Sequence, residues 1–373
     1  MTSARTDRYP DAVTGPAQYL SSLEIDTTTP VLVTGATGYV AGWVVKDLLD
    51  AGVTVHAAVR NPDDRRKTAH LRALADAAPG TIEFFAADLL TDGSYDAAMA
   101  GCGVVFHTAS PFTTDVKDPQ KELVDPAVEG TRTVLESADR TESVRRVVLT
   151  SSVAAIYTDT VDCANAGGSL TEDDWNTSAT LDYEPYNLSK TLAEKKAWEI
   201  ADAQSRWDLV VVNPSLVIGP PLGPAPTSES FAIVTQLGNG MMALGAPRIK
   251  IGVVDVREVA QAHVTAAFTP GASGRHILSA ADTDLLEMGK ALLPKFGLKR
   301  PLPRFPLPIP LLVAVAPLVG RDRRFVRRCS GGPLHLDNTK SREALGISYR
   351  PMRESLEEMF AGMLDAGQVK LLR

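Results

Sequence analysis

The sequence has few cysteines, and they are not arranged as metal ligands or as a disulfide framework. Cys102, Cys163 and Cys329 stand far apart in a chain of 373 residues. The six histidines are scattered, and none belongs to an HExxH motif. Structural zinc sites need closely spaced cysteines and histidines, and disulfide-rich domains need many cysteines. We therefore expect no metal site, and we expect a reducing, cytoplasmic location.

Long apolar runs and an excess of positive charge are also missing. The longest apolar stretch, FPLPIPLLVAVAPLVG at 305–320, is short for a membrane span and contains four prolines. It either touches a membrane or, as we favour, forms a helix in the wall of a hydrophobic pocket. The first thirty residues have no apolar core of a signal peptide. The net charge of −7 leaves no basic stripe for nucleic acid. The arginines of 321–328 form a local cluster that suits a solvated surface or an anionic ligand.

Apolar runs and helical stretches alternate regularly between residues 30 and 213. The runs PVLVT, VTVHAAV, TIEFFAA, GVVFHTA, RRVVLTS and WDLVVVN predict short strands, and the stretches between them predict helices. Strands that are apolar throughout suit a sheet that is covered on both faces. The pattern predicts an α/β fold, a Rossmann-type doubly wound parallel sheet with a smaller C-terminal substrate domain.

This alternation becomes irregular after Asn213, where PSLVIGPPLGPAP at 214–226 is rich in proline and glycine. Asp255 and Glu258 have the spacing of a capping box and predict a helix start in the later half. The predicted domains are a flexible tail over 1–28, a cofactor domain over 29–213 to which 252–280 returns, and a substrate domain over 214–251 and 281–373.

The first predicted strand leads directly into a glycine-rich turn, TGATGYVAG at 34–42. Gly35 and Gly38 permit a tight turn and a close approach of the backbone to a pyrophosphate. The helix that follows offers free N–H groups at the same place. Ala41 stands where a small residue packs the helix on the strand. This spacing, between a first strand and a first helix, predicts a dinucleotide-binding site.

The residue after the second strand distinguishes NAD from NADP. A carboxylate there would accept a hydrogen bond from the ribose 2′-hydroxyl, whereas an arginine accommodates a 2′-phosphate. Arg60 occupies this position in AAVRNPDDRRK, and Lys67 is close enough in sequence to reach the same phosphate. Asp63 and Asp64 are the alternative, although acidic residues also suit the start of the next helix. We expect NADP(H) as the cofactor.

Other candidate cofactor contacts follow the same turn and strand ends. Asp88 in AADLL follows the third strand, where its carboxylate either holds the adenine amino group or caps a helix. The remaining candidates are Thr37, Tyr39, Val40, Leu89, Thr108, Ala109 and Ser110.

A candidate catalytic set lies at the ends of later elements. Ser152 follows the fifth strand in LTSSVAAIY, and Tyr186 and Lys190 lie one helical turn apart in PYNLSK. An ammonium stabilises a phenolate and lowers the tyrosine pKa from about 10, and Lys190 could also bind the nicotinamide ribose. Ser152 could hold a substrate carbonyl while Tyr186 gives a proton to its oxygen as hydride arrives. Each residue alone is common, but their order on these elements predicts a carbonyl-reducing site.

Together these motifs resemble an extended short-chain dehydrogenase/reductase over roughly residues 29–368. The resemblance rests on VLVTGATGYVAG, ADL, LTSSVAAIY, PYNLSKTLAEKKAWE, NPSLVIGP, VDVREVAQAH and LDNTKSREALGISYRP. The last segments are similar to the branch of dihydroflavonol reductases, cinnamoyl-CoA reductases and microbial aldehyde/ketone reductases. The residues that the resemblance implies are a catalytic set of Ser152, Tyr186 and Lys190, a 2′-phosphate site of Arg60 and Lys67, and Pro214 and Ser215 beside the nicotinamide.

Departures from the branch narrow the expected substrate. Flavonoid-reducing members carry an asparagine where Tyr157 stands, and plant cinnamoyl-CoA reductases carry a longer aromatic motif where this chain has EPYNLSK. The segment 301–330 is expected to shape the substrate pocket. We expect an NADPH-dependent reductase of an aldehyde or ketone with an apolar body, as a monomer or homodimer. The alternatives are a nucleotide-sugar epimerase or dehydratase, a 3β-hydroxysteroid dehydrogenase and a non-catalytic NADP sensor.

Overall fold

The computed structural model describes residues 18–111, 116–223, 228–316 and 322–371 of the chain. The strands are β1 (Val31–Thr34), β2 (Thr54–Val59), β3 (Thr81–Ala86), β4 (Val104–His107), β5 (Arg146–Thr150), β6 (Asp208–Pro214), β7 (Leu216–Ile218), β8 (Lys250–Asp255), β9 (Gly274–Leu278) and β10 (Ala281–Asp284). The helices are α1 (Tyr39–Asp50), α2 (Arg65–Ala77), α3 (Asp96–Met99), α4 (Asp125–Arg140), α5 (Thr160–Asn165), α6 (Pro185–Asp202), α7 (Glu229–Gly238), α8 (Val256–Phe268), α9 (Leu285–Phe296), α10 (Ile309–Val315), α11 (Arg323–Cys329), α12 (Thr339–Leu345) and α13 (Met352–Asp365).

Seven strands form a wholly parallel sheet in the order β3-β2-β1-β4-β5-β6-β9. The chain order reverses between β1 and β4, and ligands of open α/β sheets bind at such a point, beyond the carboxyl ends of the strands. Strand β1 is buried along its whole length, as expected for a central parallel strand, whereas the edge strand β3 is partly exposed. This order and the helices on both faces confirm the predicted Rossmann-type α/β fold.

Two apolar layers cover the two faces of this sheet. On one face α1 and α8 pack against each other and bury Trp43, Leu48 and Val259. On the other face α3, α4 and α6 bury residues such as Met99 and Leu135. Each fully buried leucine, valine or phenylalanine contributes roughly 1.5–3 kcal/mol. Both layers leave the carboxyl ends of the strands as the open edge of the sheet.

A second, smaller sheet has the order β10-β8-β7 and its own apolar core. Helices α7, α9 and α13 contribute to this core, in which the rings of Phe296 and Phe360 meet edge to face with centroids 4.9 Å apart. The predicted capping box is confirmed at the start of α8, where Asp255 and Glu258 form both reciprocal hydrogen bonds. The division of the chain into domains stays a prediction.

Some of the sequence-based expectations fall on residues outside the described ranges. Residues 1–17 of the predicted tail lie outside them, while Gln18–Ser22 form a short 3₁₀ helix whose Tyr19 hydroxyl donates to Asp47 at 2.8 Å. In the apolar stretch, Ile309–Val315 form α10, and residues 317–320 are outside the description. Among the described helices, none combines the length and apolar character that a membrane span requires.

Candidate active site

The glycine turn between β1 and α1 has the geometry that an anion site needs. Gly35 adopts a left-handed backbone conformation with φ of 61°, and a Cβ atom there would lie 3.0 Å from Cα of Ala109. Helix α1 begins directly after Gly38, and no side chain caps it. The first N–H groups of this helix, which include those of Tyr39 and Val40, are therefore available to an anionic ligand. The turn, with Thr37 between its two glycines, fits the pyrophosphate of a dinucleotide.

Gly35→Ala is expected to lower the free energy of unfolding by about 1–3 kcal/mol, because alanine is strained at this φ and its methyl group would press on Ala109. NADPH affinity should fall with it, because the turn must move. Gly42→Ala is the matched control, since a Cβ there has no neighbour within 4 Å and alanine favours the helix by about 1 kcal/mol. Thermal unfolding and fluorescence titration with NADPH would measure both effects. Equal behaviour of the two variants would contradict a special role for Gly35.

The hydroxyl of Thr34 ties the loop after β4 to the glycine turn. It accepts the N–H groups of Thr108 and Ala109 at 3.1 and 3.0 Å, and so donates its own proton to Nδ1 of His107 at 3.0 Å. Burial, aided by the Lys190 ammonium, lowers the pKa of His107 to about 3. The ring is thus neutral and able to accept this bond. Two of the predicted cofactor residues are fixed in this way beside the turn.

The predicted 2′-phosphate residues lie on the surface near the end of β2. Arg60 follows β2 directly and is exposed, and Lys67 is exposed in the first turns of α2. Asp64 is the N-cap of α2, and its carboxylate accepts the N–H of Arg66 at 3.1 Å. Asp63 is not placed at the end of the strand. Asp64 therefore serves the helix start, and Arg60 and Lys67 remain candidates for the phosphate.

Asp88 follows β3, but it does not cap a helix. Its carboxylate accepts the N–H of Leu90 at 2.8 Å, and its carbonyl oxygen accepts the Ser94 hydroxyl at 2.7 Å. The N-cap of the next helix is Tyr95 instead, so the helix-cap alternative is wrong. The carboxylate closes a tight turn and is exposed. Leu89, the next candidate, lines a small cavity together with Lys190 of α6.

Ser152 stands where β5 turns into a short 3₁₀ helix. Its Oγ accepts the N–H of Ala154 at 3.1 Å and thereby caps this helix. A hydroxyl has one proton and two lone pairs, so this contact leaves the proton for another acceptor. The structure therefore leaves Ser152 able to donate a hydrogen bond to a carbonyl oxygen.

Tyr186 and Lys190 lie on the first two turns of α6. The helix begins at Pro185, a favoured first residue, after Glu184 in a left-handed conformation with φ of 52°. The Lys190 ammonium donates to Oγ of Ser110 at 2.9 Å and lies 5.8 Å from the centroid of the Tyr186 ring. This hydrogen bond joins the exposed Ser110 of the loop after β4 to helix α6.

The pKa values of these two residues follow from burial. Burial lowers the pKa of Lys190 to about 8, and the Glu194 carboxylate opposes this change. Burial, together with the carboxylate of Glu229, raises the pKa of Tyr186 above its ordinary value. The net shift of the Tyr186 pKa is therefore upward, opposite to the lowering expected from the Lys190 ammonium. A tyrosine that stays protonated at neutral pH suits a proton donor.

Sequence reasoning missed the buried carboxylate of Glu194, one turn beyond Lys190. It accepts hydrogen bonds from Nε of Arg275 at 2.6 Å, Nδ2 of Asn213 at 2.8 Å and Oγ of Ser151 at 2.5 Å. The signal was present as a Lys-x-x-x-Glu spacing, which places both side chains on one face of the helix. Its buried partners come from distant strands and could not be found from the local sequence.

Pro214 and Ser215 lie at the carboxyl end of β6, beside the same edge. The N–H of Ser215 donates to the carbonyl oxygen of Leu278 at 2.9 Å, and its buried Oγ has no partner among the described residues. A buried hydroxyl without a partner is a natural contact for a polar group of a ligand. Within the described ranges, no group of histidine, cysteine or acidic residues is arranged to hold a metal ion.

Known proteins resemble this chain in both sequence and structure. Residues 31–278 match the NAD dependent epimerase/dehydratase family. Cinnamoyl-CoA reductase CAD2 of Medicago truncatula is 38% identical over 332 residues, 88% of this chain and 93% of that protein. An anthocyanidin reductase of Vitis vinifera is 37% identical over 275 residues, 71% of this chain and 80% of that protein. The structure of Gre2 in complex with NADPH, from Candida albicans, has a TM-score of 0.73 at 30% identity and covers 91% of this chain and 99% of that chain. The chain belongs to the NAD dependent epimerase/dehydratase family of extended short-chain dehydrogenases/reductases, in the branch of cinnamoyl-CoA, flavonoid and microbial carbonyl reductases.

Proposed function

We propose that the chain is an NADPH-dependent reductase that transfers hydride to the carbonyl carbon of an aldehyde or ketone, with Tyr186 as the general acid. It is an NADP-dependent oxidoreductase of carbonyl or CH–OH groups, like the reductases to which it is related. The observation that carries the proposal is the 2.9 Å bond from Lys190 to Ser110. It joins the helix of the proposed acid to the loop that lies against the glycine turn.

NADPH, when bound, supplies the hydride. The residues proposed to hold it share a position at the carboxyl edge of the main sheet. They are Gly35, Thr37, Gly38, Tyr39 and Val40 at the pyrophosphate, Arg60 and Lys67 at the 2′-phosphate, Asp88 and Leu89 at the adenine, Thr108, Ala109 and Ser110 in the β4 loop, and Lys190, Pro214 and Ser215 near the nicotinamide.

Ser152, Tyr186 and Lys190 have separate proposed roles in the reaction at the carbonyl group. Ser152 donates its free hydroxyl proton to the carbonyl oxygen and orients the carbonyl. Tyr186, which is protonated at neutral pH, gives its proton to the same oxygen as negative charge develops there. The Lys190 ammonium faces the tyrosine ring and stabilises the phenolate that remains. A proton from solvent restores the tyrosine before the next turnover.

The proposed substrate is an aldehyde or ketone with an apolar body. Two relatives are named for cinnamoyl-CoA and for anthocyanidin. The departures at Tyr157 and in EPYNLSK lead us to propose a smaller carbonyl compound rather than either of these. Helix α7 begins with Glu229, which acts on the Tyr186 pKa, and its apolar residues pack in the core of the smaller sheet.

Loss of NADPH absorbance tests the proposal, with NADH in parallel, against a panel of aromatic and aliphatic aldehydes and ketones. A CoA thioester and a flavonoid belong in the same panel. Consumption of NADPH in preference to NADH, fastest with an aldehyde or ketone, is the expected result. Fastest turnover with the thioester or flavonoid would overturn the substrate class. No consumption with any member would overturn the reductase proposal and favour an epimerase or dehydratase.

Arg60→Ala is expected to raise the KM for NADPH by about 10- to 100-fold, the equivalent of the roughly 1.5–3 kcal/mol of a hydrogen bond to a charged group. The KM for NADH should stay nearly unchanged, because NADH has no 2′-phosphate. Arg353→Ala, which removes an exposed arginine from α13, is the control and should affect neither cofactor. An equal rise in the KM for NADPH and for NADH in Arg60→Ala would show that Arg60 does not bind the 2′-phosphate.

A further inference from the structure

A fully buried ion pair lies directly beneath the proposed catalytic groups. Glu194 is 1% exposed and Arg275 is 6% exposed. The guanidinium donates to both carboxylate oxygens of Glu194, at 2.6 and 3.5 Å, and to the carbonyl oxygens of Glu172 and Asp174. It also lies over the Trp175 ring, 4.0 Å from the ring centroid. Burying two charges is unfavourable unless their hydrogen-bonding capacity is met, as it is here. Arg275 and its partners thus hold the carboxylate in one place.

The carboxylate in turn holds the segment that carries the proposed carbonyl-binding serine. Ser151, the preceding residue, donates its hydroxyl to Oε2 of Glu194. Asn213 uses one amide nitrogen twice, donating to the same Oε2 at 2.8 Å and to the carbonyl oxygen of Ser152 at 3.2 Å. The Ser151 side chain is therefore tied to Glu194 directly, and the Ser152 carbonyl group is tied to it through Asn213.

The same carboxylate lies one turn from Lys190 on α6. Both side chains line a cavity of about 20 Å³, the size of one water molecule, together with His107 and Thr131. The titratable groups that face the ammonium are His107 from β4, and Tyr186 and Glu194 from α6; the lining residues from α4 and β5 carry no charge. Among the described residues that line this cavity, Glu194 is the one acidic group.

We propose that Glu194, fixed by Arg275, is a positioning residue of the reductase, which aligns Ser152 with α6 and supplies the negative charge facing Lys190. This inference rests on the proposed function, because it gives Glu194 a role through two proposed catalytic residues. Glu194 itself touches neither substrate nor cofactor in this role. It acts through the serine backbone on one side and through the ammonium on the other.

The charge of Glu194 changes the pKa of Lys190 in a definite direction. The Glu194 carboxylate raises the pKa of Lys190 against the lowering caused by burial. Lys190 is charged below its pKa and neutral above it, so activity that needs the ammonium is lost as pH rises. Removing the carboxylate charge must move this loss to lower pH. Removing the Arg275 charge, which leaves the carboxylate unbalanced, must move the loss to higher pH.

The test compares kcat against pH for the wild type, Glu194→Gln, Arg275→Gln and the double variant. For charges about 6 Å apart at an effective dielectric constant of about 20, Glu194→Gln should shift the alkaline limb down by roughly one to two pH units. Arg275→Gln should shift the alkaline limb of the kcat profile to higher pH. The double variant removes both buried charges, so it should fold even where a single variant does not. Its alkaline limb should still lie at lower pH than that of the wild type.

A second readout does not depend on turnover. Acetic anhydride reacts with neutral amines, so the pH at which Lys190 becomes acetylated, followed by peptide mass spectrometry, reports its pKa directly. Acetylation should begin at lower pH in Glu194→Gln and in the double variant, and at higher pH in Arg275→Gln. If the wild type has no reductase activity, the proposed function fails, and the acetylation profiles still decide the role of Glu194.

The matched control is the double variant Arg146→Gln, Asp208→Asn. This pair joins β5 to β6 at the opposite end of the strands, with two N–O distances of 2.8 and 2.7 Å. It should lower stability without moving either pH profile. A folded Glu194→Gln, Arg275→Gln protein with wild-type profiles would overturn the proposal and leave the ion pair a purely structural role. Equal shifts in the control would overturn it as well.

Discussion

Tyr186→Phe is expected to lower kcat by roughly 10²–10⁴-fold, the share that a general acid usually contributes. The substitution removes the only group of residue 186 that can give up a proton, while the ring and its packing stay. NADPH affinity should therefore change little. Steady-state kinetics with the best aldehyde or ketone would measure kcat, and fluorescence titration would measure the dissociation constant for NADPH.

Tyr349→Phe is the matched control for this prediction. The Tyr349 hydroxyl pairs with Ser341 of α12 at 2.8 Å, outside the proposed catalytic set, so turnover should be kept. Unchanged turnover in Tyr186→Phe would remove Tyr186 from the mechanism. A parallel loss of NADPH binding would instead mean that the hydroxyl supports the cofactor site rather than the proton transfer.

Lys190→Met is expected to lower kcat by roughly 10²–10³-fold, the loss typical for one preorganised electrostatic group. Methionine keeps most of the aliphatic length but loses the ammonium, so the phenolate on Tyr186 is no longer stabilised. The bond to Ser110 is lost too, and the KM for NADPH should rise. In the wild type, the lowered pKa of about 8 means that the ammonium is present below this pH and lost above it. Lys190→Met should therefore abolish the alkaline limb of the kcat profile.

Lys196→Met tests whether any lysine of this helix would give the same result. Lys196 lies on the same helix but pairs with Glu199 at 2.5 Å, on a face that looks away from the β4 loop. Its removal should leave kcat, KM and the pH profile unchanged. If Lys196→Met and Lys190→Met reduce turnover alike, the effect belongs to the net charge of α6 and not to the proposed site.

The local sequence was enough to predict the main sheet and the glycine turn. Strand β1 is a short run of buried, largely β-branched residues, and Gly52, with φ of 84°, follows the helix that separates it from β2. The turn at Gly35 was predictable because a left-handed conformation and a close backbone contact both call for glycine. The places of Ser152 and Lys190 follow from the rule that ligands bind beyond the carboxyl ends of parallel strands.

Features that depend on burial or on distant contacts could not be predicted in this way. Arg275 and Glu194 are 81 residues apart in sequence and meet only because β9 pairs with β6. The raised pKa of Tyr186 depends on how deeply its ring is enclosed, which no local spacing reveals. The turn role of Asp88 was open for a similar reason, since a cap and a turn use the same residue types.

The proposed reacting groups and the glycine turn all precede residue 215, whereas the core around Phe296 and Phe360 is built by later residues. The apolar layer formed by α1 and α8 on the main sheet and the core around Phe296 and Phe360 are separate clusters of buried side chains. Tyr39 packs against both clusters near the glycine turn, and its hydroxyl donates to the carbonyl oxygen of Gly219 at 2.6 Å. Mutations in the later core change residues other than the proposed reacting groups, so we expect them to leave the proposed site intact. With this arrangement, duplicated genes can diverge in substrate preference while they keep the same proposed reacting residues. If the predicted substrate domain is correct, residues 228–251 and 281–316 are the described segments in which directed evolution should find new selectivity.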